Sequence, residues 1–186
     1  MRYKIISPPR HEPVDLASAK DQMRVLHNQE DDLIKSYVAA AREWSEGYTN
    51  RFLVRQLIDV YLDDFEDGLT LPYAPIDSVE SISYIALDGE VVTLNSNEYR
   101  SYPDESGVDI EPVESWPLTA AQREAVTIRC YVGYGEDYQV PHTVKLAIKM
   151  LAAHWYVNRE SVAAIKLEDV PFGISSLLGH YINVDF

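Results

Sequence analysis

A chain of 186 residues, 46% hydrophobic and 25% charged, is long enough for one substantial core and too apolar for disorder throughout. Thirty acidic side chains against sixteen basic ones give a formal charge of -14, which opposes unaided binding to nucleic-acid phosphates, because lysine and arginine drive that binding by releasing counterions. Cys130 is the single cysteine, so an intramolecular disulfide is excluded; in the apolar run VTIRCYVGYG it reads as a buried, inert thiol suited to a reducing cytoplasm.

Residues 1–14 hold Pro8, Pro9 and Pro13 and read as an extended N-terminal arm, since proline removes backbone donors and pushes its predecessor away from helix. Before the prolines only Ile5 and Ile6 are aliphatic, too few for the core of a signal peptide. No run approaches eighteen apolar residues, so no membrane-spanning helix is expected. Asp15 is placed to cap a short helix from Leu16 to about Leu26, with Leu16, Ala19, Met23 and Leu26 on its inner side.

The stretch from Asp31 to Tyr48 carries the strongest periodicity in the chain. Leu33, Tyr37, Ala40, Ala41, Trp44 and Tyr48 recur at helical spacing, Ile34 and Val38 widen the same face, and the two aspartates open the helix at the positive end of its dipole. So broad an apolar side must be buried against other elements. After Thr49 and Asn50 the texture changes to that of strands, expected near 54–63, 79–87, 90–95 and 125–133, with a short fifth one at Tyr99. Asp88 and Gly89 suggest a two-residue hairpin with positive φ at both central positions. The acid-rich, base-free stretch from Ser101 to Trp116 reads as an exposed loop.

Helix returns at Pro141, with Val144, Ile148, Leu151 and Trp155 as its stripe and Ala147 and Ala152 allowing close packing. A short helical piece from about Gly173 to His180 leads to an apolar end. Leu177, Leu178, Tyr181, Ile182 and Phe186 are many large apolar groups for a terminus and must be covered, by this chain or by another subunit. The layout is α+β: a helical core from 15–50 and 141–180, a mainly antiparallel β insert at 52–135, and a C-terminal tail at 181–186. In this bundle two N-terminal helices, a long C-terminal one and a short terminal one pack together.

Catalytic and metal-binding patterns are not evident. The five histidines are scattered without ligand spacing, GlyTyrGly at 133–135 lacks the rest of a phosphate loop, and Cys130 has no activating neighbour in sequence. The acids Asp63, Asp64, Glu66 and Asp67 before Gly68 imitate a calcium loop but fail on spacing, because Phe65 falls where an oxygen ligand belongs. No catalytic residue, metal or cofactor is therefore expected. From the residues alone, a monomeric intracellular binding module with its apolar end buried internally, or a carboxylate-dependent hydrolase, stays open.

Several stretches, taken in order, resemble the head-tail connector (adaptor, head-completion) proteins of tailed bacteriophages, in their longer type with a β insert. They are EPVDLASAKDQMRV, EDDLIKSYVAAAREWSEGYTNRFLV, LPYAPIDSVESISYIALDGE, VGYGEDYQVPHTVKLAIKMLAAHWYVNRES and VPFGISSLLGHY, which together span most of the chain. The resemblance implies a structural protein of the virion neck, assembled in the host cytoplasm. It also implies a ring of copies, commonly twelvefold, beneath the portal, with a tail or neck protein downstream and DNA passing without sequence-specific binding. No membrane and no reaction are implied. The last segment would engage the portal through Leu177, Leu178, Tyr181, Ile182 and Phe186, while Tyr37, Trp44, Tyr48, Leu151 and Trp155 serve packing within or between subunits. A chain ending at Gly173 is expected to keep its fold and lose the portal.

Overall fold

The computed structural model describes residues 1–104, 106–135, 139–158 and 172–184. It divides into two compact units, one built from residues 11–54 with the described part of 136–184, the other from 1–10 with 55–135.

The first unit is helical: α1 (Leu16–Met23), α2 (Asp31–Thr49), α3 (His142–Val157) and α4 (Phe172–Leu178), followed by a 3-10 turn at Gly179–Tyr181. α3 packs against the other three, and α2 also touches α1 and α4. Asp15 caps α1 by accepting from the Ser18 backbone N–H at 2.8 Å, and the Ser18 hydrogen bonds hold its carboxyl below the ordinary 3.8. α1 ends earlier than its periodicity suggests. Arg24 turns left-handed (φ 57°) and the Val25 N–H reaches back to the Lys20 carbonyl, closing the helix and burying Val25. Leu26, expected inside, is 97% exposed.

α2 has the expected span, but its inner line is offset by one residue. Ile34, Val38, Ala41, Ser45 and Thr49 are buried, while Leu33, Tyr37, Ala40, Trp44 and Tyr48 lie half-buried along the margin. Two polar residues can face inward because each hydroxyl donates to the carbonyl four residues earlier, Ser45 to Ala41 and Thr49 to Ser45, both at 2.7 Å. α2 packs on α3 and α4, whose Val144, Ala147, Ile148, Leu151 and Ala152, and Ile174 and Leu178, are buried in the same core.

The second unit holds two antiparallel sheets. The larger runs β1 (Arg2–Ser7), β2 (Gln56–Leu62), β8 (Val126–Val132), β4 (Ile76–Ile85), β5 (Val91–Thr93); the smaller runs β3 (Leu69–Leu71), β7 (Val108–Pro112), β6 (Tyr99–Pro103). Alternation sets the faces: Ile58, Val60 and Leu62 of β2 and Val126, Ile128, Cys130 and Val132 of β8 are buried. On the opposite face Asp59 meets its cross-strand partner Arg129 in a two-pronged ion pair (2.7 and 2.8 Å). Burial pushes the Cys130 thiol up to about 12, so it stays protonated and unreactive.

Three expectations change here. The N-terminal arm is extended, but its residues 2–7 pair with β2 as an edge strand. The acid-rich stretch expected as a loop contains β7 and part of β6, because in ValAspIleGluPro the acids alternate outward while Val108 and Ile110 are buried. At the Asp88–Gly89 turn only Gly89 has positive φ (87°). Its N–H donates to the Ala86 carbonyl at 2.9 Å, so the connection is an ordinary turn followed by a glycine bulge, not the primed two-residue turn.

Gly107 is required for a different reason. A Cβ there would lie 2.0 Å from the Leu71 carbonyl oxygen of β3, a backbone atom that cannot swing aside. Gly107→Ala is expected to lower stability by about 1–3 kcal/mol, as overpacking does, read from the urea midpoint; an unchanged midpoint would show that β3 yields.

Candidate interaction surface

Among the described residues no group of three His, Cys, Asp or Glu side chains could hold a metal ion, and no helix is long and apolar enough to cross a membrane. A hollow of about 520 Å³ is lined by Arg2, Tyr61, Asp63, Asp64, Glu66, Arg123 and Glu124 among others. Its acids already have work in the fold: Asp63 accepts from the Glu124 N–H at 2.9 Å and Asp64 from the Thr119 hydroxyl at 2.7 Å. They close turns. Exposed apolar side chains occur on the edge strands of the larger sheet, among them Ile5 and Val91, and on two surfaces of the helical unit.

The first is the end of the chain. Arg51 donates through Nε to the Tyr181 carbonyl at 2.6 Å, Asn183 donates its N–H to the Thr49 carbonyl at 2.7 Å, and Asn50 reaches the Asn183 carbonyl at 3.4 Å. The carbonyls and side chains at the end of α2 thereby hold residues 181–183 in place. Of the five apolar residues singled out near the terminus, Leu178 is fully buried, Leu177 and Tyr181 are half-buried, and Ile182 is 38% exposed. Phe186 lies outside the described residues. Val184, not singled out by sequence, is 83% exposed. Since Ile174 and Leu178 both belong to the core, ending the chain at Gly173 would remove core side chains along with the surface ones.

The second surface is the margin of α2. Trp44 stacks on Tyr48 with centroids 5.0 Å apart, and Tyr37 meets Tyr156 of α3 edge to face at 6.4 Å. All four remain half-buried, as does Trp155, while Leu151 is wholly internal. Leu146 and Val157 of α3 add exposed aliphatic area.

Beneath α2 lies a feature that sequence reading missed. Arg42, with 8% of its side chain exposed, donates to Glu12 at 2.8 Å, Glu46 at 2.6 Å and Glu43 at 3.3 Å, and Glu46 accepts in addition from the Leu53 N–H. Burial would lower the guanidinium's affinity for its proton, but the carboxylates outweigh it and hold the value above normal. Burial pushes the Glu46 carboxyl up against the pull of Arg42. The signal available was the Arg42–Glu46 spacing of four on a face of α2 otherwise lined by small and apolar residues.

Residues 13–104 match the family model of the phage gp6-like head-tail connector proteins. Over those residues the chain belongs to the head-tail connector family. Likeness of fold extends further than that match. The neck of an empty gene transfer agent particle, computed with C6 symmetry, and the virion of the native gene transfer agent each contain a chain that superposes with a TM-score of 0.81 at 24% identity, over 99% of this chain and 96% of that one. A native neck computed with C12 symmetry gives 0.79 at the same identity and coverage. No curated protein matches the sequence. In this connector the family match takes in α1, α2 and the strands β2 to β6, and so the aromatic margin of α2 and Arg42 with Glu43 and Glu46.

Proposed function

We propose that the chain is a structural head-tail connector of a tailed phage or phage-like particle, one subunit of a homo-oligomeric ring in the virion neck. The observation that carries this reading is the connector-family match at residues 13–104. The helical unit is read as a bundle into which the β unit is inserted, and the ring as twelvefold, seated beneath the portal with a tail-side protein below. Its role is mechanical: it joins head to tail, performs no reaction, and leaves a passage for DNA. A net charge of -14 supports that last point, since a channel wall of that sign repels phosphates instead of retaining them.

Lateral contacts are assigned to the half-buried margin of α2, Tyr37, Trp44 and Tyr48, with Trp155 of α3, because large aromatics with part of their area still uncovered are what interfaces favour. The portal contact is assigned to Leu177, Tyr181, Ile182 and Phe186, with Leu178 supporting them from inside. Imaging purified particles for a ring between portal and tail tests the function directly; a neck without this chain would overturn it. For the contact, Leu177→Glu with Ile182→Glu is expected to keep the thermal unfolding midpoint and weaken portal pull-down by about thirtyfold, the scale of one interface hot spot. Portal capture at full strength by that folded variant would remove the assignment.

A further inference from the structure

The five-stranded sheet ends in two edges of opposite character. At one, β1 is exposed along almost its whole length, with Tyr3, Ile5 and Ile6 each 40–46% exposed. Residues 1–10 carry Arg2, Lys4 and Arg10 and no acid, in a chain where acids outnumber bases nearly two to one. At the other edge, β5 exposes Val91 (71%) and Val92 (37%), and residues 85–98 carry Asp88, Glu90 and Glu98 and no base. Arg2 also pairs with Glu124 within the chain, which leaves Lys4, exposed, as the basic group midway along the strand.

Backbone geometry at β5 points the same way. The Ala86 N–H bonds to the Glu90 carbonyl and the Leu94 N–H to the Ile82 carbonyl, and Tyr84 and Val92 are partners midway between. In an antiparallel ladder inward-bonded pairs recur every second residue, so the backbone groups of Val91 and Thr93 are directed at the open edge. The regular part of β1 is of similar length, ending at Ile5 where its register slips before Pro8 and Pro9. Four successive antiparallel pairings separate β1 from β5, so the two edge strands run in the same direction.

We propose that β5 of one copy adds to β1 of the next as a parallel strand pair, the acidic edge meeting the basic one, so that the sheet continues from subunit to subunit around the ring. The two edges are different surfaces, so the contact is heterologous and repeats head to tail, which is the kind that closes into rings. Exposed, unblocked sheet edges otherwise template uncontrolled association; opposite charge at the two ends selects this pairing over β1 with β1. Strand addition of this length supplies register and a small area, beside the larger contact assigned to the helices.

This inference rests on the connector reading, and its test is made in assembled particles. Ile5→Cys combined with Val91→Cys, and separately Tyr3→Cys with Val91→Cys, samples two registers with a short bismaleimide, Cys130 being buried. A ladder of dimers, trimers and higher covalent oligomers from either double variant, with each single variant giving monomer, is the expected result. Thr93→Pro removes one outward donor while an edge strand tolerates proline, and is expected to lower ring incorporation about tenfold at unchanged circular dichroism. A neck ring that contains the chain but gives no ladder from either pair, or that assembles normally with folded Thr93→Pro, overturns the inference and leaves the connector reading standing. Dimers from Ile5→Cys alone overturn it in favour of a two-fold contact. Particles whose neck lacks the chain defeat both.

Discussion

Replacing Arg42 by methionine is expected to destabilise the helical unit by about 3–5 kcal/mol, the range seen when one partner of a buried ion pair is removed and the other is left behind. The side chain is 8% exposed and Glu46 opposite it 15%, so little water can take over the guanidinium's role. Glu43, 69% exposed at 3.3 Å, contributes least and Glu12 an intermediate amount. The penalty should depend on pH. In the native protein the Glu46 carboxyl sits above its ordinary 4.5, because burial, with a smaller push from Glu12, outweighs the pull of Arg42 and Leu53. A folded-state value raised in this way contributes stability that is fully present below 4.5 and lost as pH rises through the raised value. Without Arg42 the opposing pull is gone, the folded value climbs further, and the losing window extends upward. Urea titrations of Arg42→Met should therefore show a small deficit below pH 4.5 and the full one at neutral pH, with Glu46→Gln on the same background recovering part of it. A deficit that is the same at both pH values would mean that lost packing of the arginine stem, not the stranded carboxylate, is responsible.

Periodicity made much of the connector's architecture readable in advance. The span of α2, the Asp15 cap and the strands near 56–62, 76–85 and 126–132 follow from apolar spacing, capping chemistry and β-branched runs that agree with one another. Where local signals compete, the reading slipped. On α2 the aromatic residues Tyr37, Trp44 and Tyr48 dominate the pattern, yet the helix turns one residue further, because the hydroxyls of Ser45 and Thr49 donate to carbonyls of their own helix and so cost little to bury. Composition hid β7, since counting acids from 101 to 116 conceals that Asp109 and Glu111 alternate with two buried aliphatics, Val108 and Ile110. The Arg42 cluster was only half visible: the spacing of four to Glu46 stands in the sequence, but its partner outside the helix, Glu12, is thirty residues away. The interaction surfaces were legible as residue types but not as exposures. Family resemblance pointed to the chain's end, and only the packing of α4 separates Leu178, wholly internal, from Leu177 and Ile182 beside it.

That separation yields the other large expected effect. Leu178→Ala removes a fully buried side chain from α4, which packs on α3 and α2, and should lower stability by about 2–5 kcal/mol through lost transfer energy and the cavity left behind. Ile182→Glu changes a residue already 38% exposed, whose neighbours Tyr181 and Asn183 keep their backbone hydrogen bonds to Arg51 and Thr49, and should stay within about 0.5 kcal/mol of the parent. The two variants thus move different quantities. On the proposed portal contact, Leu178→Ala lowers the urea midpoint while portal binding measured well below that midpoint is retained, because the surface it presents is unchanged; with Ile182→Glu the midpoint holds and binding falls. The reverse pattern, a stable Leu178→Ala that no longer binds, would mean that α4 lifts away from α3 on contact and that Leu178 is shared between the core of the free subunit and the interface of the bound one.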